Sequence, residues 1–444
     1  MRHHTATHCR KALQSSAWQS ADVLCRKKGF RIVEEQGGFR PERGTEHQIF
    51  ILTEIMKTRT QKTTYTAFID VKKAYDTVWR NGLWKRLWDE GVRGKIWRVI
   101  KGMYSVVQSA VLVGDEQTEM FDLAAGVRQG CVMSPVLFSF FINGLAREIK
   151  EKTQGVWVGD MQVNLLLYAD DIVLMAESEA DLQLMLQIVS SYSRKWRFRV
   201  NPKKGKSEVM IFGRKPRNTE RRWELAGVEI GETESYKYLG IELVKQLNFK
   251  KVKDRFAAEA KKRMMTVWAM GMRKGELPVK DCCAVWNALV RPVLEYGAAI
   301  WGEVKWEEAE AIQRNGKMIL GCSTRMANDV VLGELGWWRL KARRDLLRLK
   351  FWGKVVSYMS SSRLVRQVYQ YSRSRYDACK SSKWCKYTHA LLQELDLEDK
   401  WLNDDTACNE KEWDKELRER IQEREEKQWL ACMQKKPKLH IHHT

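Results

Sequence analysis

Apolar residues follow two rhythms along the chain, and each predicts a different kind of element. Short runs rich in β-branched and aliphatic residues read as buried strands: Thr66–Val71, then Val163–Leu167 and Ile172–Met175, the last two forming a hairpin. A helical rhythm follows, with Leu182, Met185, Val189, Tyr192 and Trp196 spaced alternately by three and four residues. That spacing predicts an amphipathic helix over Asp181–Trp196, packed beneath the hairpin. Val136–Ile142 reads as an apolar helix, and Trp79, Leu83, Leu87 and Trp88 mark another. From Val252 the pattern turns almost wholly helical, with basic amphipathic stretches over Phe256–Met272, Lys280–Leu294 and Trp337–Met359. Glu410–Met433 is dense in charge and nearly free of β-formers, which predicts a solvated helix or a partner-binding tail. The fold class is therefore α+β: an antiparallel sheet packed on helices, followed by an all-helical region. The expected boundaries are a lead-in at 1–60, a strand-and-helix module at 61–243, helices at 244–375 and a charged extension at 376–444.

Charge narrows the function. There are 78 Lys+Arg against 56 Asp+Glu, a net +22, while Leu391–Lys427 alone holds 14 acids and 7 bases. The rest of the chain is thus more basic still, and a polyanionic partner explains this better than folding does, since like charges repel in a compact state. No apolar run approaches the roughly 20 residues needed to span a membrane. Most of the 19 tryptophans lie at helical spacing and read as core. Ten cysteines at irregular spacing, with Cys282 and Cys283 adjacent, do not form a disulfide framework. Together with a polar, histidine-rich Met1–His8, they lead us to expect reduced thiols in an intracellular protein. Cys379, Cys385 and His389 lack the CxxC pair of a zinc knuckle, so a metal site is not expected there.

The chemistry concentrates in Tyr168-Ala169-Asp170-Asp171, at the turn of the predicted hairpin. Two like charges about 4 Å apart repel by roughly 4 kcal/mol at an effective dielectric near 20. Folding has no need of such a pair, whereas a hard divalent cation converts it into a binding site. Asp70, at the end of a separate strand, supplies a third acid. Carboxylates brought together from two strands are what two-metal phosphoryl transfer requires.

In this order along the chain, the residues resemble the reverse transcriptases of non-LTR (LINE-like) retrotransposons, from Gln36 to about Arg375. Gln36-Gly37-Gly38-Phe39-Arg40-Pro41-Glu42-Arg43-Gly44-Thr45-Glu46-His47 is similar to the segment joining fingers to palm. Phe68-Ile69-Asp70 through Ala74-Tyr75-Asp76 resembles motif A, Gly126–Pro135 motif B and Tyr168–Asp171 motif C. Asn201–Ser207 resembles motif D, and Tyr236-Lys237-Tyr238-Leu239-Gly240 the primer-gripping hairpin. Tyr296–Gly302 and Glu334–Trp337 are similar to the thumb and post-thumb region of the lineage.

The resemblance implies a right-hand polymerase palm followed by a helical thumb, acting on an RNA template, a DNA primer and deoxynucleoside triphosphates. It implies two Mg²⁺ ions, with Mn²⁺ as an alternative, on Asp70, Asp170 and Asp171. It places Tyr75 under the incoming sugar as a gate against a 2′-hydroxyl, where the plain alternative is a core tyrosine. Gln129 would face the template and nascent base pair, against the alternative of a glycine-rich connection before a core helix. Lys206 is the preferred member of Lys203, Lys204 and Lys206 to stand near the triphosphate, the alternative being a solvated basic loop. Asp76 reads better as a helix N-terminal acid than as a chemical group. Arg40, Arg128, Gly130, Tyr168, Ala169, Tyr238, Leu239 and Gly240 would meet template and primer.

Two departures matter. The longer fingers string whose arginine helps hold the triphosphate has no counterpart, although Arg26, Lys27, Lys28 and Arg31 could substitute. No endonuclease, CCHC knuckle or PD…D/E signature is evident. The rival expectation is a catalytically silent relic, or a maturase-like RNA-binding protein.

Overall fold

Thr64–Ile69 is buried along its whole length and forms the strand around which the first half of the molecule is built. In the computed structural model, which describes residues 32–215, 221–269, 277–303, 305–323, 325–377 and 382–434, this strand (β1) sits inside a four-stranded sheet. Its neighbours are Leu165–Tyr168 (β2), Asp171–Ala176 (β3) and Glu208–Phe212 (β4), in the order β4-β1-β3-β2. All three pairings are antiparallel. β1 is buried at all six positions and β3 at every position after Asp171, so both faces are covered and neither strand shows the alternation of one with a solvated face.

Three helices position the sheet: Arg80–Asp89 (α1), Ser134–Lys152 (α2) and Glu179–Trp196 (α3). α3 begins where Ser178 accepts a hydrogen bond from the backbone of Asp181 at 3.2 Å. Glu179 and Asp181 lie at its positive end, and Arg197 terminates it in the left-handed conformation. Its apolar face, Leu182, Met185, Val189, Tyr192 and Trp196, is buried as the spacing predicts, and it packs on β1 and β3. Pro135 opens α2, where a missing N–H does no harm. Arg86 of α1 lies over the rings of Tyr192 and Trp196 and donates to the Tyr192 hydroxyl at 3.0 Å. Between α1 and α2 the chain forms a short ribbon, Gln108–Ser109 with Phe121–Asp122 and Leu112–Val113 with Glu116–Gln117, largely exposed and not foreseen from the sequence.

The described residues divide into two units. One holds residues to Gln48 and Arg59–Leu239; the other holds Ile49–Thr58 and the residues from Gly240 onward. The second unit is mainly helical, and its helices include Lys250–Ala269 (α4), Leu340–Gly353 (α5), Lys383–Glu394 (α6) and Glu410–Gln434 (α7). Trp301, Trp306, Trp352, Trp384, Trp401 and Trp413 are fully buried there, which makes them core rather than stacking platforms for bases.

α7 corrects an expectation. Despite its charge, Trp413, Leu417, Ile421 and Arg424 form one buried stripe, and α7 packs on α5. The Trp413 indole donates to the Leu349 carbonyl at 3.1 Å, and Arg424 pairs with fully buried Asp345 at 2.9 Å. Asp345 also accepts from Lys341 at 2.9 Å and from the Tyr387 hydroxyl at 2.7 Å. The stripe is too narrow to stand out among so many charges. Removing one member of a buried ionic network strands its partners without compensation, at about 3–5 kcal/mol. Asp345→Ala is therefore expected to lower the urea midpoint of unfolding sharply, whereas the exposed Glu423→Ala leaves it unchanged.

Candidate active site

The register of the sheet brings the acids of two distant segments side by side. β1 and β3 pair through Ile69 and Ile172, so Asp70, one step past Ile69, lies alongside Asp171, one step before Ile172. β2 and β3 close through Tyr168 and Asp171, which leaves Ala169 and Asp170 as the turn. Ala169 has φ 57°, a left-handed conformation that a residue with a Cβ adopts at a penalty of about 1–2 kcal/mol.

Asp70 is held from behind by the loop that follows α3. Its Oδ2 accepts from the Asn201 amide at 2.9 Å, and its Oδ1 lies 3.8 Å from Lys206 Nζ. Its backbone N–H donates to Ser207 Oγ at 3.1 Å, and its carbonyl accepts from Asn201 N–H at 2.8 Å. Burial, with Asp70's charge adding to it, pushes the Asp170 carboxyl above its ordinary range, opposed by Asp170's own backbone N–H. The Asp171 carboxyl is pushed up to about 6, first by burial, then by the charges of Asp170 and Asp70, with Lys206 pulling the other way. The pair holds its negative charge reluctantly, as carboxylates do where a counter-ion belongs.

The next layer joins motifs A and B. Val127 N–H donates to the Tyr75 carbonyl at 2.8 Å, and Gly126 N–H to the Val78 carbonyl at 2.9 Å. Gly126 has φ 85°, and a Cβ there would stand 2.8 Å from the Asp76 carbonyl oxygen, so only glycine fits without strain. Gln129 donates its side-chain amide to Asp76 Oδ1 at 2.7 Å. Asp76, read as a structural acid, is thus the partner that orients Gln129. The Tyr75 ring stacks on Phe138, with centroids 5.3 Å apart and planes 18° apart. Its hydroxyl is buried without a hydrogen-bond partner, and burial, then Asp170's charge, raises the phenol to about 12.

The other expected residues fall into different places. Arg128 turns back, donating to the Met103 carbonyl at 2.8 Å and lying over the Tyr104 ring, while Ser134 donates to its carbonyl at 2.6 Å. In this arrangement Arg128 braces motif B. Arg40 likewise donates to the carbonyls of Val33 and Gln36, at 2.8 and 3.0 Å, and closes its own loop. Gly130 has φ 77° and open space where a side chain would stand. Tyr168 is half-buried, while Tyr238 is buried, with its phenol raised by burial and by the charges of Asp171 and Tyr168. Leu239 has φ 44° and ends the first unit. Gly240 has φ 79°, belongs to the second unit and accepts at its carbonyl from Arg255. Arg26, Lys27, Lys28, Arg31, Met1–His8 and Cys379 lie outside the described residues. Cys385 is buried, and His389 is hydrogen-bonded to Tyr376 and Glu398.

Tyr236 opens the segment that resembles the primer-gripping hairpin, yet nothing in that resemblance singles it out as a site residue. Its ring stacks on Phe68 at 4.3 Å, its hydroxyl donates to the Lys206 carbonyl at 2.7 Å, and burial with the charges of Asp171 and Asp70 raises its phenol. The signal was there: Tyr236 and Tyr238 are two apart in one strand and share a face. Asn201 and Ser207, in the segment resembling motif D, and Gln36, at the head of the fingers-to-palm segment, likewise carry contacts that the motifs do not single out. Gln36 is fully buried and accepts from Ala169 N–H at 2.9 Å.

Among the described residues no group of three or more His, Cys, Asp or Glu side chains is gathered closely enough to hold a metal ion by itself. Mg²⁺ in phosphoryl-transfer enzymes is held by one or two carboxylates, with substrate phosphates and water completing the shell. Asp170 and Asp171, whose carboxyls burial raises and on which Asp70's charge acts, fit that arrangement.

Residues 23–243 match the family described as reverse transcriptase (RNA-dependent DNA polymerase). The RNA-directed DNA polymerase from the mobile element jockey of Drosophila melanogaster is 26% identical over 292 residues, covering 63% of this chain and 31% of that one. The probable RNA-directed DNA polymerase from transposon BS of Drosophila melanogaster is 30% identical over 283 residues, 61% of this chain and 30% of that one. Among solved structures, apo telomerase from Candida tropicalis is similar at TM-score 0.41 and 12% identity, over 92% of this chain and 60% of that one. The chain spans about a third of the length of the curated relatives it matches. With the motif order, the sheet that joins motifs A and C, and this match in agreement, the chain belongs to the reverse transcriptase family, among relatives from non-LTR retrotransposons.

Proposed function

We propose that this chain is an RNA-directed DNA polymerase that adds deoxynucleotides to a primer 3′-hydroxyl on an RNA template. The observation that carries this reading is the sheet register that sets Asp70 beside Asp171, with Asp170 at the adjoining turn. Asp70, Asp170 and Asp171 would hold two Mg²⁺ ions, which lower the pKa of the attacking hydroxyl and stabilise charge on the leaving pyrophosphate.

The protein's own groups do the rest. Lys206, fixed by Tyr236 and facing Asp70, offers a cation and a proton at the side of the site where pyrophosphate departs. Tyr75, seated on Phe138 with Asp170's charge acting on its hydroxyl, limits space at the sugar. Gln129, steered by Asp76, faces the base pair. Arg128 and Arg40 act by bracing the loops that carry these groups, so they position rather than touch the nucleic acid. The basic charge of the chain supplies the sequence-independent attraction for template and primer.

Primer extension on an RNA template with Mg²⁺ and deoxynucleotides tests the reading. Extension that requires Asp70, shown by its loss in Asp70→Asn, supports it. Salt-sensitive RNA binding by a folded protein, with no product in either Mg²⁺ or Mn²⁺, would replace it with the RNA-binding alternative.

A further inference from the structure

Around the carboxylate turn, the segment running from Glu35 to Gly38 is built as a splint. Leu167 N–H donates to the Glu35 carbonyl at 3.0 Å and Gly37 N–H to the Leu167 carbonyl at 2.8 Å, so the segment lies parallel to β2 through a Gln36–Leu167 bridge. At the turn itself the contact passes to a side chain. Gln36 Oε1 accepts from both Gly38 N–H, at 2.8 Å, and Ala169 N–H, at 2.9 Å, while its Nε2 approaches the Ala169 carbonyl at 3.5 Å. One amide thus addresses both faces of the left-handed residue. Gly38 lies so close that a Cβ there would stand 2.3 Å from the Ala169 nitrogen. Arg40, donating to the Gln36 carbonyl, and the Arg43–Glu34 ion pair close the splint from outside.

We infer that Gln36 is a positioning residue for the reaction, holding Ala169 in its left-handed conformation so that Asp170 and Asp171 stay together against their mutual repulsion. The inference rests on the polymerase reading, and it adds a residue whose work is done through the turn rather than on a substrate. Two partly desolvated carboxylates on adjacent residues would relax by swinging apart, and a left-handed alanine would relax with them. The Gln36 amide opposes both movements, because leaving would orphan the buried Ala169 N–H. Gln36 is fully buried and its side-chain hydrogen bonds go to Gly38 and Ala169, so its loss should spare nucleotide recognition and damage metal binding and the chemical step.

The test compares the parent chain with Gln36→Met, which removes the acceptor at similar volume, and with Gly38→Ala, which presses on the same nitrogen from the other side. The measurements are Mn²⁺ binding by electron paramagnetic resonance, kcat and KM for a deoxynucleotide on a primed RNA template, and the melting temperature. The expected result for both variants is a Mn²⁺ half-saturation raised about tenfold and a kcat lowered about 10²-fold, as a displacement near 1 Å can produce. The KM for the nucleotide should stay within about threefold, in protein that still melts cooperatively. Parental Mn²⁺ binding and kcat in either folded variant would overturn the role of Gln36 while leaving the polymerase reading intact. So would a loss expressed mainly in nucleotide KM. If the parent binds Mn²⁺ but extends no primer, the polymerase reading fails, and the Mn²⁺ arm still decides whether Gln36 organises the turn.

Discussion

Asp170→Asn is expected to abolish primer extension while Asp171→Asn makes the metal-free protein more stable, and the two results have one physical origin. Asp170 and Asp171 are partly desolvated, close to one another and to Asp70, and their carboxyls are raised by that burial and charge. On the two-metal reading proposed above, removing the charge of Asp170 would forfeit metal-borne stabilisation of several kcal/mol in the transition state. At about 1.4 kcal/mol per factor of ten, extension should fall at least about 10³-fold. In the metal-free protein the same charge is a burden.

The sign follows from the Asp171 carboxyl standing at about 6 in the fold against 3.8 unperturbed. Between those values the folded state holds the proton that the unfolded state has released. Stability therefore falls as pH rises from about 4 to about 6, and stays at the lower level above. The shift corresponds to about 1–3 kcal/mol, so Asp171→Asn should melt a few degrees above the parent at pH 7 and level with it near pH 4. Mg²⁺ should then raise the parent's melting temperature more than the variant's, because it binds the folded parent better. Thermal melts at both pH values, with and without Mg²⁺, check this. An Asp171→Asn protein less stable than the parent at pH 7 would mean that this carboxylate is already compensated by protein groups.

The division between what the residues disclosed and what they concealed follows the range of the interactions. β1, the hairpin and the apolar face of α3 were legible because each is a local pattern whose period matches its element. The pairing of Asp70 with Asp171 was not in any periodicity; it came from recognising the order of motifs, and the register of β1 and β3 then supplied a physical cause. The individual contacts of Asn201 and Gln36, though both lie in recognisable motif segments, were not legible for a complementary reason. Asn201 reaches Asp70 across 131 positions and Gln36 reaches Ala169 across 133, and a single polar side chain carries no mark of a partner so far away. Arg40 and Arg128, expected at template and primer, make contacts of another kind in this structure. A basic residue inside a nucleic-acid motif reads as a phosphate or base contact, whereas both guanidiniums are directed at backbone carbonyls, where a planar five-donor group is equally well suited. In α7, charge density hid a stripe anchored by Trp413, Leu417 and Ile421.

Replacing Tyr75 by Val should change which sugar the enzyme accepts more than how fast it works on its preferred one. The ring is seated on Phe138, Val127 is tied to its backbone carbonyl, and its hydroxyl is buried with no partner while Asp170's charge reaches it. An unpartnered buried hydroxyl contributes nothing to the fold that Phe would not, so Tyr75→Phe should keep both stability and discrimination against ribonucleotides. Tyr75→Val leaves a cavity beside Phe138, and loss of so large a side chain destabilises by about 2–4 kcal/mol, but it also frees the volume a 2′-hydroxyl would need. The ratio of kcat/KM for a deoxynucleotide to that for the matching ribonucleotide should drop by about 10²-fold, equivalent to about 3 kcal/mol of lost steric discrimination. Single-nucleotide addition with paired substrates measures it. A core tyrosine predicts something else: Val would depress both nucleotides by the same factor through a loosened palm, and the ratio would stay where it was. Phe separates the cases further, since a gate made of the hydroxyl would open in Tyr75→Phe, and a gate made of the ring would not.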